Sequence, residues 1–252
     1  MRDADRHVEA ILSRIRTEGC VLMLDFDGTL APLVSDPRRA RMGAQTHHAL
    51  ASVVQCYPTA VITGRTLADV RTRVPIRGIS FAGNHGLEWS VRGKTHRVRI
   101  PRVLRRALGA IRTRLRSLGR RYQGIYIEDK THTLSLHYRH VPRSKHVALR
   151  AEIKKAVKEV GDLRIVDGIY VCNVLPAVRH DKGTVARKIL ASLSGRGKPA
   201  PVFIGDDVTD EDAFRVFTKG ITIKVGKSPS AARYYFTSRA GVDRFLRAVA
   251  KM

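Results

Sequence analysis

The sequence predicts an α/β protein, a parallel sheet with helices on both faces, interrupted by a smaller α+β unit. Three observations carry this. Short apolar runs of strand length alternate with helical patterns over the first hundred residues and again from residue 180. Between these stretches helix–strand–strand occurs twice in succession, which breaks the alternation. Pro101 and Pro176 bracket the interruption.

The elements follow in order. A charged stretch, Met1 to His7, leads into a helical pattern through Ala10, Ile11 and Ile15. Residues 21–25 read as a strand, 44–55 as a helix, 58–62 as a strand, 66–73 as a helix and 79–82 as a strand. Gly86 to Val98 reads as a hairpin turning at Arg92-Gly93-Lys94. Pro101 suits the first turn of a helix reaching about Leu118, with Gly119 near its end. Strand patterns follow at 124–129 and 133–139, then a helix from Ser144 to Glu159 and strands at 163–167 and 169–175 around a turn at Asp167-Gly168. The alternation resumes with helix 180–192, strand 201–205, helix 209–217, strand 221–225 and helix 240–250. The expected division is therefore a core of 1–100 and 177–252 and an insert of 101–176.

Bulk properties narrow the class. The 252 residues carry 47 Lys and Arg against 22 Asp and Glu, a formal net charge of +25. Such a field attracts anions, phosphate esters and nucleic acids among them. A helix dense in arginine (Arg102, Arg105, Arg106, Arg112, Arg114, Arg116, Arg120, Arg121) would be cationic around much of its surface. No interleaving of aromatic and basic residues of the single-strand-binding kind accompanies it, so nucleic acid is expected only as a non-specific electrostatic partner. No apolar run approaches a membrane span and no signal-peptide pattern is present. Three widely spaced cysteines, Cys20, Cys56 and Cys172, suggest reduced, mostly buried thiols and a cytoplasmic protein.

Four motifs carry chemistry. The apolar run Val21-Leu22-Met23-Leu24 ends in Asp25-Phe26-Asp27-Gly28-Thr29-Leu30. Carboxylates at i and i+2 leave a strand on the same side. Two nearby carboxylates repel unless a cation or a shared proton relieves them, so Mg²⁺ with an acid–base partner suits the pair, and so does a plain Asx turn at a strand end. The second run, Ala60-Val61-Ile62, ends in Thr63-Gly64-Arg65. Thr63 is a candidate donor to a phosphoryl oxygen, with Gly64 freeing its N–H for the same purpose; the bland reading is a helix-capping threonine. The third is Lys182-Gly183, a lysine at a helix start, where the dipole disfavours it, hence a candidate anion contact or a solvated side chain. The fourth, Phe203-Ile204-Gly205-Asp206-Asp207-Val208-Thr209-Asp210-Glu211-Asp212, ends a strand in five acids. Hard divalent cations take such oxygen ligands, while Asp210, Glu211 and Asp212 also fit as helix N-terminal acids.

In this order the four motifs resemble the haloacid dehalogenase-like superfamily of phosphohydrolases, which implies a Rossmann-like parallel-sheet core with an inserted α/β cap. The longer strings Asp25 to Val34 with Asp36-Pro37, Gly83-Asn84-His85-Gly86, Gly205 to Phe214, Gly124 to Lys130 and His137-Tyr138-Arg139 resemble the trehalose-6-phosphate phosphatase family over about residues 20–250. The resemblance implies a cytoplasmic Mg²⁺-dependent phosphosugar phosphatase of trehalose biosynthesis. Asp25 would be the nucleophile and Asp27 the acid–base. Thr63 and Lys182 would hold the phosphoryl group. Asp25, Asp27 and Asp206 would ligate the metal, with Asp207 and Asp210 in support. Gly64, Arg65, Asn84, His85, Glu128, Lys130, His137, Arg139 and Asn173 would contact substrate. Two positions depart from the family pattern. Its Glu-x-Arg-Pro on the last cap strand reads Asn173-Val174-Leu175-Pro176 here, which removes an acid and a base from the lid. Alternatives are hydrolysis of a different phosphosugar, a sugar phosphomutase, or a cationic nucleic-acid-binding module without enzyme activity. The cap strands have a residue-level reading as well. Thr133, Ser135, His137 and Arg139 alternate with Leu134, Leu136 and Tyr138, and Tyr126, Glu128 and Lys130 share one parity, so one face of the cap sheet is expected to be polar.

Overall fold

The computed structural model describes residues 1–252 and divides into two compact units, Met1–Arg97 with His180–Met252, and Val98–Arg179.

The first unit opens with β1 (Arg2–Asp3), α1 (Val8–Glu18) and β2 (Cys20–Leu24). It continues through α2 (Ala44–Cys56), β3 (Thr59–Ile62), α3 (Leu67–Arg73), β4 (Ser80–Gly83), β5 (Glu88–Val91) and β6 (Lys94–Arg97). The second unit contains α4 (Arg102–Arg121), β7 (Tyr126–Asp129), β8 (Leu134–His137), α5 (His146–Val160), β9 (Leu163–Gly168) and β10 (Val171–Pro176). The chain then returns to the first unit with α6 (Lys182–Leu193), β11 (Ala200–Gly205), α7 (Glu211–Val216), β12 (Ile221–Val225), β13 (Tyr234–Phe236) and α8 (Arg239–Val249).

The first unit is built on a nine-stranded sheet in the order β1-β13-β12-β11-β2-β3-β4-β5-β6. Every pairing from β1 to β4 is parallel. The β5–β6 hairpin adds antiparallel strands at one edge. Arg92 (φ 49°) and Gly93 (φ 78°) make its turn, the double positive φ that matches the twist of a two-residue hairpin loop. β2 is central, and all five of its residues are buried. Leu22 and Leu24 pack with side chains of α1, α2, α3 and α8, whereas Val21 and Met23 pack with α6 and α7. Helices therefore cover both faces, as the alternation predicts.

The second unit has a four-stranded antiparallel sheet, order β7-β8-β10-β9. Leu134, Leu136, Cys172 and Val174 pack against Ile111, Leu115, Leu149 and Ile153 of α4 and α5. Period-2 alternation sends Tyr126, Glu128, Ser135, His137 and Asn173 to the other face.

Several expectations need correction. β1 and β13 form an outer parallel pair that no long apolar run announces; β1 is only two residues. α4 runs through Gly119 to Arg121, held by the packing of Leu115 and Leu118. The β9–β10 turn lies at Ile169-Tyr170, with Tyr170 at φ 59°, because ladder pairing continues to Gly168. The segment expected as helix 209–217 is a 3₁₀ turn, Val208–Asp210, followed by α7. The cysteines need no correction: all three are free, Cys20 and Cys172 are buried, and only Cys56 is exposed. No helix is long and apolar enough to cross a membrane.

Candidate active site

The parallel register places the C-terminal tips of β2, β3 and β11 side by side, where open α/β sheets carry their ligands. Phe26 continues the Leu22 and Leu24 face into the core, so Asp25 and Asp27 leave on the opposite side. The chain then turns tightly, with Gly28 N–H donating to the Ala31 carbonyl at 2.8 Å. Gly28 is at φ 79°, and a Cβ there would lie 2.0 Å from Asp206 Oδ2. Only glycine lets the β2 and β11 loops come this close.

Asp25 is 4% exposed, Lys182 2% and Asp210 0%. Lys182 Nζ lies 3.0 Å from Asp25 Oδ1 and 2.7 Å from Asp210 Oδ1. It is not a solvated lysine. Burial alone would lower its pKa, but Asp210 and Asp25 outweigh burial and hold it above the ordinary lysine value. Burial pushes the Asp25 carboxyl well up; Lys182 opposes this, and Asp210 and Asp206 add to it. Asp206 is pushed up to about 7 by burial and by Asp210 and Asp207, and burial also raises Asp207. The other Asp210 oxygen accepts from the Asp207 backbone N–H at 3.0 Å, so Asp210 anchors both the lysine and its own loop.

One carboxylate oxygen each from Asp25, Asp206 and Asp210 lies within 4.8 Å of the others. Four carboxylates at this tip, Asp25, Asp206, Asp207 and Asp210, face two lysines, Lys182 and Lys224. Lys224 is buried on β12 and donates to the Asp206 carbonyl oxygen. With all four ionised, two negative charges are left unopposed, and oxygen donors with that deficit fit one hard divalent cation.

Asp27 is held differently. Arg65 grips it in a fork, Nε to Oδ2 and Nη2 to Oδ1, both at 2.7 Å. The same guanidinium donates to Asp69 at 2.8 Å and to the Pro37 carbonyl at 2.7 Å. Arg65, placed by the sequence among substrate contacts, thus turns its donors toward protein acceptors. Thr63 does not cap α3; Thr66 does, accepting from Asp69 N–H at 3.1 Å. The buried Thr63 hydroxyl accepts from Arg65 N–H at 3.2 Å, which leaves its own proton to donate. Asn84 (φ 50°) and His85 (φ 56°) form a left-handed turn beside this loop, with His85 N–H on the Thr63 carbonyl at 3.1 Å. A Cβ at Gly64 would meet the His85 ring at 2.5 Å.

In the second unit Glu128 Oε2 is 3.3 Å from His137 Nε2 and 3.4 Å from Lys130 Nζ. Burial would raise the Glu128 carboxyl, but His137 and Lys130 hold it below its usual value. Asn173 belongs to the same face, yet its Oδ1 accepts from Ser135 Oγ at 2.6 Å and its Nδ2 donates to the Val166 carbonyl at 3.2 Å. Arg139 does not join this group. β8 ends at His137, and the Arg139 guanidinium lies 4.6 Å from the Tyr170 ring centroid.

The sequence model of the Trehalose-phosphatase family matches residues 23–240. This chain belongs to the trehalose-phosphatase family.

As a member of that family it is a phosphoric monoester hydrolase. It is 32% identical over 265 residues to "Trehalose 6-phosphate phosphatase RA3" of Zea mays, covering 96% of this chain and 73% of that protein. It is 34% identical over 268 residues to a trehalose-phosphate phosphatase of Mycobacterium ulcerans (strain Agy99), covering 97% and 67%. The C-terminal domain of C. albicans trehalose-6-phosphate phosphatase superposes with TM-score 0.86 at 18% identity, covering 100% of this chain and 98% of that one. A trehalose-6-phosphate phosphatase related protein gives 0.76 at 22%, covering 92% and 97%. These two structures carry the fold: the chain has the α/β haloacid dehalogenase-like architecture with a second domain.

Sequence reasoning missed three residues of this trehalose-phosphatase family member, Glu88, Lys224 and Asp69. Glu88 is a buried carboxylate whose Oε1 accepts from Leu67 N–H at 2.9 Å and from Asn84 Nδ2 at 2.7 Å, tying the left-handed turn to the start of α3. Lys224 ends the apolar run Ile221-Thr222-Ile223, the same signal that marks Asp25. Asp69 had no local signal beyond its i, i+4 spacing from Arg65. Tyr126 was legible as an aromatic on the polar parity of β7.

Proposed function

We propose that the enzyme is a Mg²⁺-dependent phosphosugar phosphatase that works through an aspartyl-phosphate, with trehalose 6-phosphate as its substrate. The observation that carries this is the buried Asp25–Lys182–Asp210 chain beside Asp27. It sets a carboxylate nucleophile, a fixed cation and a second carboxylate at one sheet tip.

An Asp25 oxygen attacks phosphorus, and the bond from phosphorus to the sugar oxygen breaks. The departing electron pair stays on the sugar oxygen, which takes a proton from Asp27. Water then attacks the phosphorus of the acyl phosphate and yields its proton to Asp27, releasing phosphate and restoring the Asp25 carboxylate. Lys182 and the Thr63 hydroxyl hold the equatorial oxygens while charge shifts among them. Asp25, the Asp27 backbone carbonyl and Asp206 would hold Mg²⁺, with Asp207 and Asp210 behind them. When bound, the ion supplies charge neutralisation to the phosphoryl oxygens. Arg65 fixes the direction of Asp27. The second unit, residues 101–176 as read from sequence, selects the sugar through Glu128, Lys130 and His137.

A different phosphosugar is the second reading. It is favoured by the partners that Asn173 already has and by Leu175, which is buried and has no polar group. A phosphate-release screen over trehalose, glucose, mannose and sucrose 6-phosphates decides between them. Trehalose 6-phosphate is expected to give the highest kcat/KM; a competitor better by tenfold overturns the substrate and leaves the chemistry standing. Exhaustive chelation should abolish turnover reversibly with the circular dichroism spectrum unchanged. Full hydrolysis at verified zero metal would overturn the metal requirement.

A further inference from the structure

We infer that Tyr126 is a specificity-determining contact whose ring is the apolar platform on which the sugar ring of the substrate stacks. This rests on the phosphosugar reading above.

β7 is an edge strand of the second sheet, and Tyr126 is 42% exposed there. Isolated exposed aromatics are ordinary. The surroundings of this one are not. In the ladder Tyr126 stands directly opposite His137, and the two rings stack with centroids 5.7 Å apart at 28°. His137 is the residue that contacts Glu128 at 3.3 Å, and Lys130 reaches the same carboxylate oxygen. An oriented flat ring therefore adjoins an acid, a base and an imidazole on one side of one sheet.

A pyranose presents two kinds of surface, a rim of hydroxyls and faces of C–H groups. Glu128, Lys130 and His137 are matched to the rim, offering charged acceptors and donors at fixed spacing. Of the three only His137 has a flat ring, and that ring is already stacked with Tyr126. An aromatic ring can, because it is flat, apolar and carries negative charge density on its faces. Binding sites combine such apolar walls with a few placed polar groups.

The other half of this sheet face is built differently, with Arg164 standing opposite Leu175 in the ladder. Asn173 is engaged by Ser135 and by the Val166 carbonyl, and Leu175 offers no hydrogen bond. Glu128, Lys130 and His137 gather at the β7–β8 edge, and Tyr126 is the aromatic residue on the β7 side of it. The departure from the family pattern at Asn173 and Leu175 makes an apolar contribution from Tyr126 the more necessary.

The test compares wild type with Tyr126→Phe, Tyr126→Trp, Tyr126→Leu and Tyr126→Ala. Two substrates are used: the sugar 6-phosphate that wild type hydrolyses best, and acetyl phosphate, which has no ring to stack. The inhibition constant of the matching free sugar is measured in parallel. Leu and Ala should lower kcat/KM on the sugar phosphate about five- to tenfold, through KM, and weaken the free sugar equally. Acetyl phosphate hydrolysis should stay within twofold of wild type in all four. Phe and Trp should remain near wild type on everything. Leu matching wild type on the sugar phosphate, Phe failing as badly as Leu, or Ala losing equally on both substrates each overturns the inference. If wild type itself prefers acetyl phosphate to every sugar phosphate, the phosphosugar reading fails first and the platform falls with it.

Discussion

The tip of the parallel sheet and the polar face of the antiparallel sheet handle charge in opposite ways. At the first, Asp25, Lys182 and Asp210 are almost wholly buried, and each touches a charged partner within 3.0 Å. At the second, Glu128 and Lys130 meet at 3.4 Å, and Glu128 keeps 30% of its side chain exposed. Buried charges are expensive, so they persist only where geometry is fixed and every partner is present. Such a place suits bond-making, which gains from dipoles that need not reorganise. A cluster with a buried lysine but a carboxylate still partly open to solvent, and with longer contacts, is looser and suits a ligand that supplies further partners on arrival. On the function proposed above, chemistry and selection are separated by dielectric environment as well as by fold.

The separation can be broken at its strongest point. Asp25→Asn should lower turnover by at least ~10³-fold on every substrate, because an amide is a poor nucleophile. Retention of near-wild-type phosphate release would remove the covalent step. Next comes Lys182→Met. Two buried carboxylates lose their counter-charge, so stability should fall by about 3–5 kcal/mol in urea titration and turnover by roughly 10²–10³-fold. A stable variant with intact turnover would mean that the buried chain is not the working part.

Glu128→Ala sharpens the contrast. It should cost roughly 10- to 100-fold in kcat/KM on the sugar phosphate and less than about twofold on acetyl phosphate. Parallel losses on both would place Glu128 in folding instead of recognition. The smallest effect is a pH dependence. Burial would raise the Asp69 carboxyl, but hydrogen bonds from Arg73 and Arg65 hold it below its usual value. A lowered native pKa gives stability that is complete above about pH 4 and is lost as pH falls through the native value. Asp69→Asn should therefore cost ~1.5 kcal/mol near neutrality, and wild type and variant should converge in acid. A gap that does not shrink as pH is lowered below about 4 would show that packing, not charge, is what Asp69 provides.

The parallel sheet was legible because its strands are continuous apolar runs, and a strand ending in Asp25, Thr63 or Asp206 declares which end faces the ligand. β1 was not legible, since a two-residue strand is held by pairing with β13 and not by its own composition. Arg65 shows the limit at the site. Its place after Thr63-Gly64 was readable, but its partners Asp27, Asp69 and the Pro37 carbonyl are 38, 4 and 28 residues away in sequence and meet only in three dimensions. Asn173 shows the same limit. Its side chain could be read as a hydrogen-bonding group, whereas its commitment to Ser135 depends on the register of β8 against β10.

The register of β2 against β11 sets a timetable for synthesis. Asp25 leaves the ribosome well before its partners Asp206 and Asp210, which follow a strand that begins at Ala200, after all of the second unit has been made. A nascent chain that stops short of about residue 210 has Asp25 and no acidic cluster around it. The central strand must wait, half-paired with β3, for a neighbour encoded about 180 residues later, the kind of long-range closure that slows folding. The acidic cluster is consequently one that the growing chain can assemble only once residue 210 has been made.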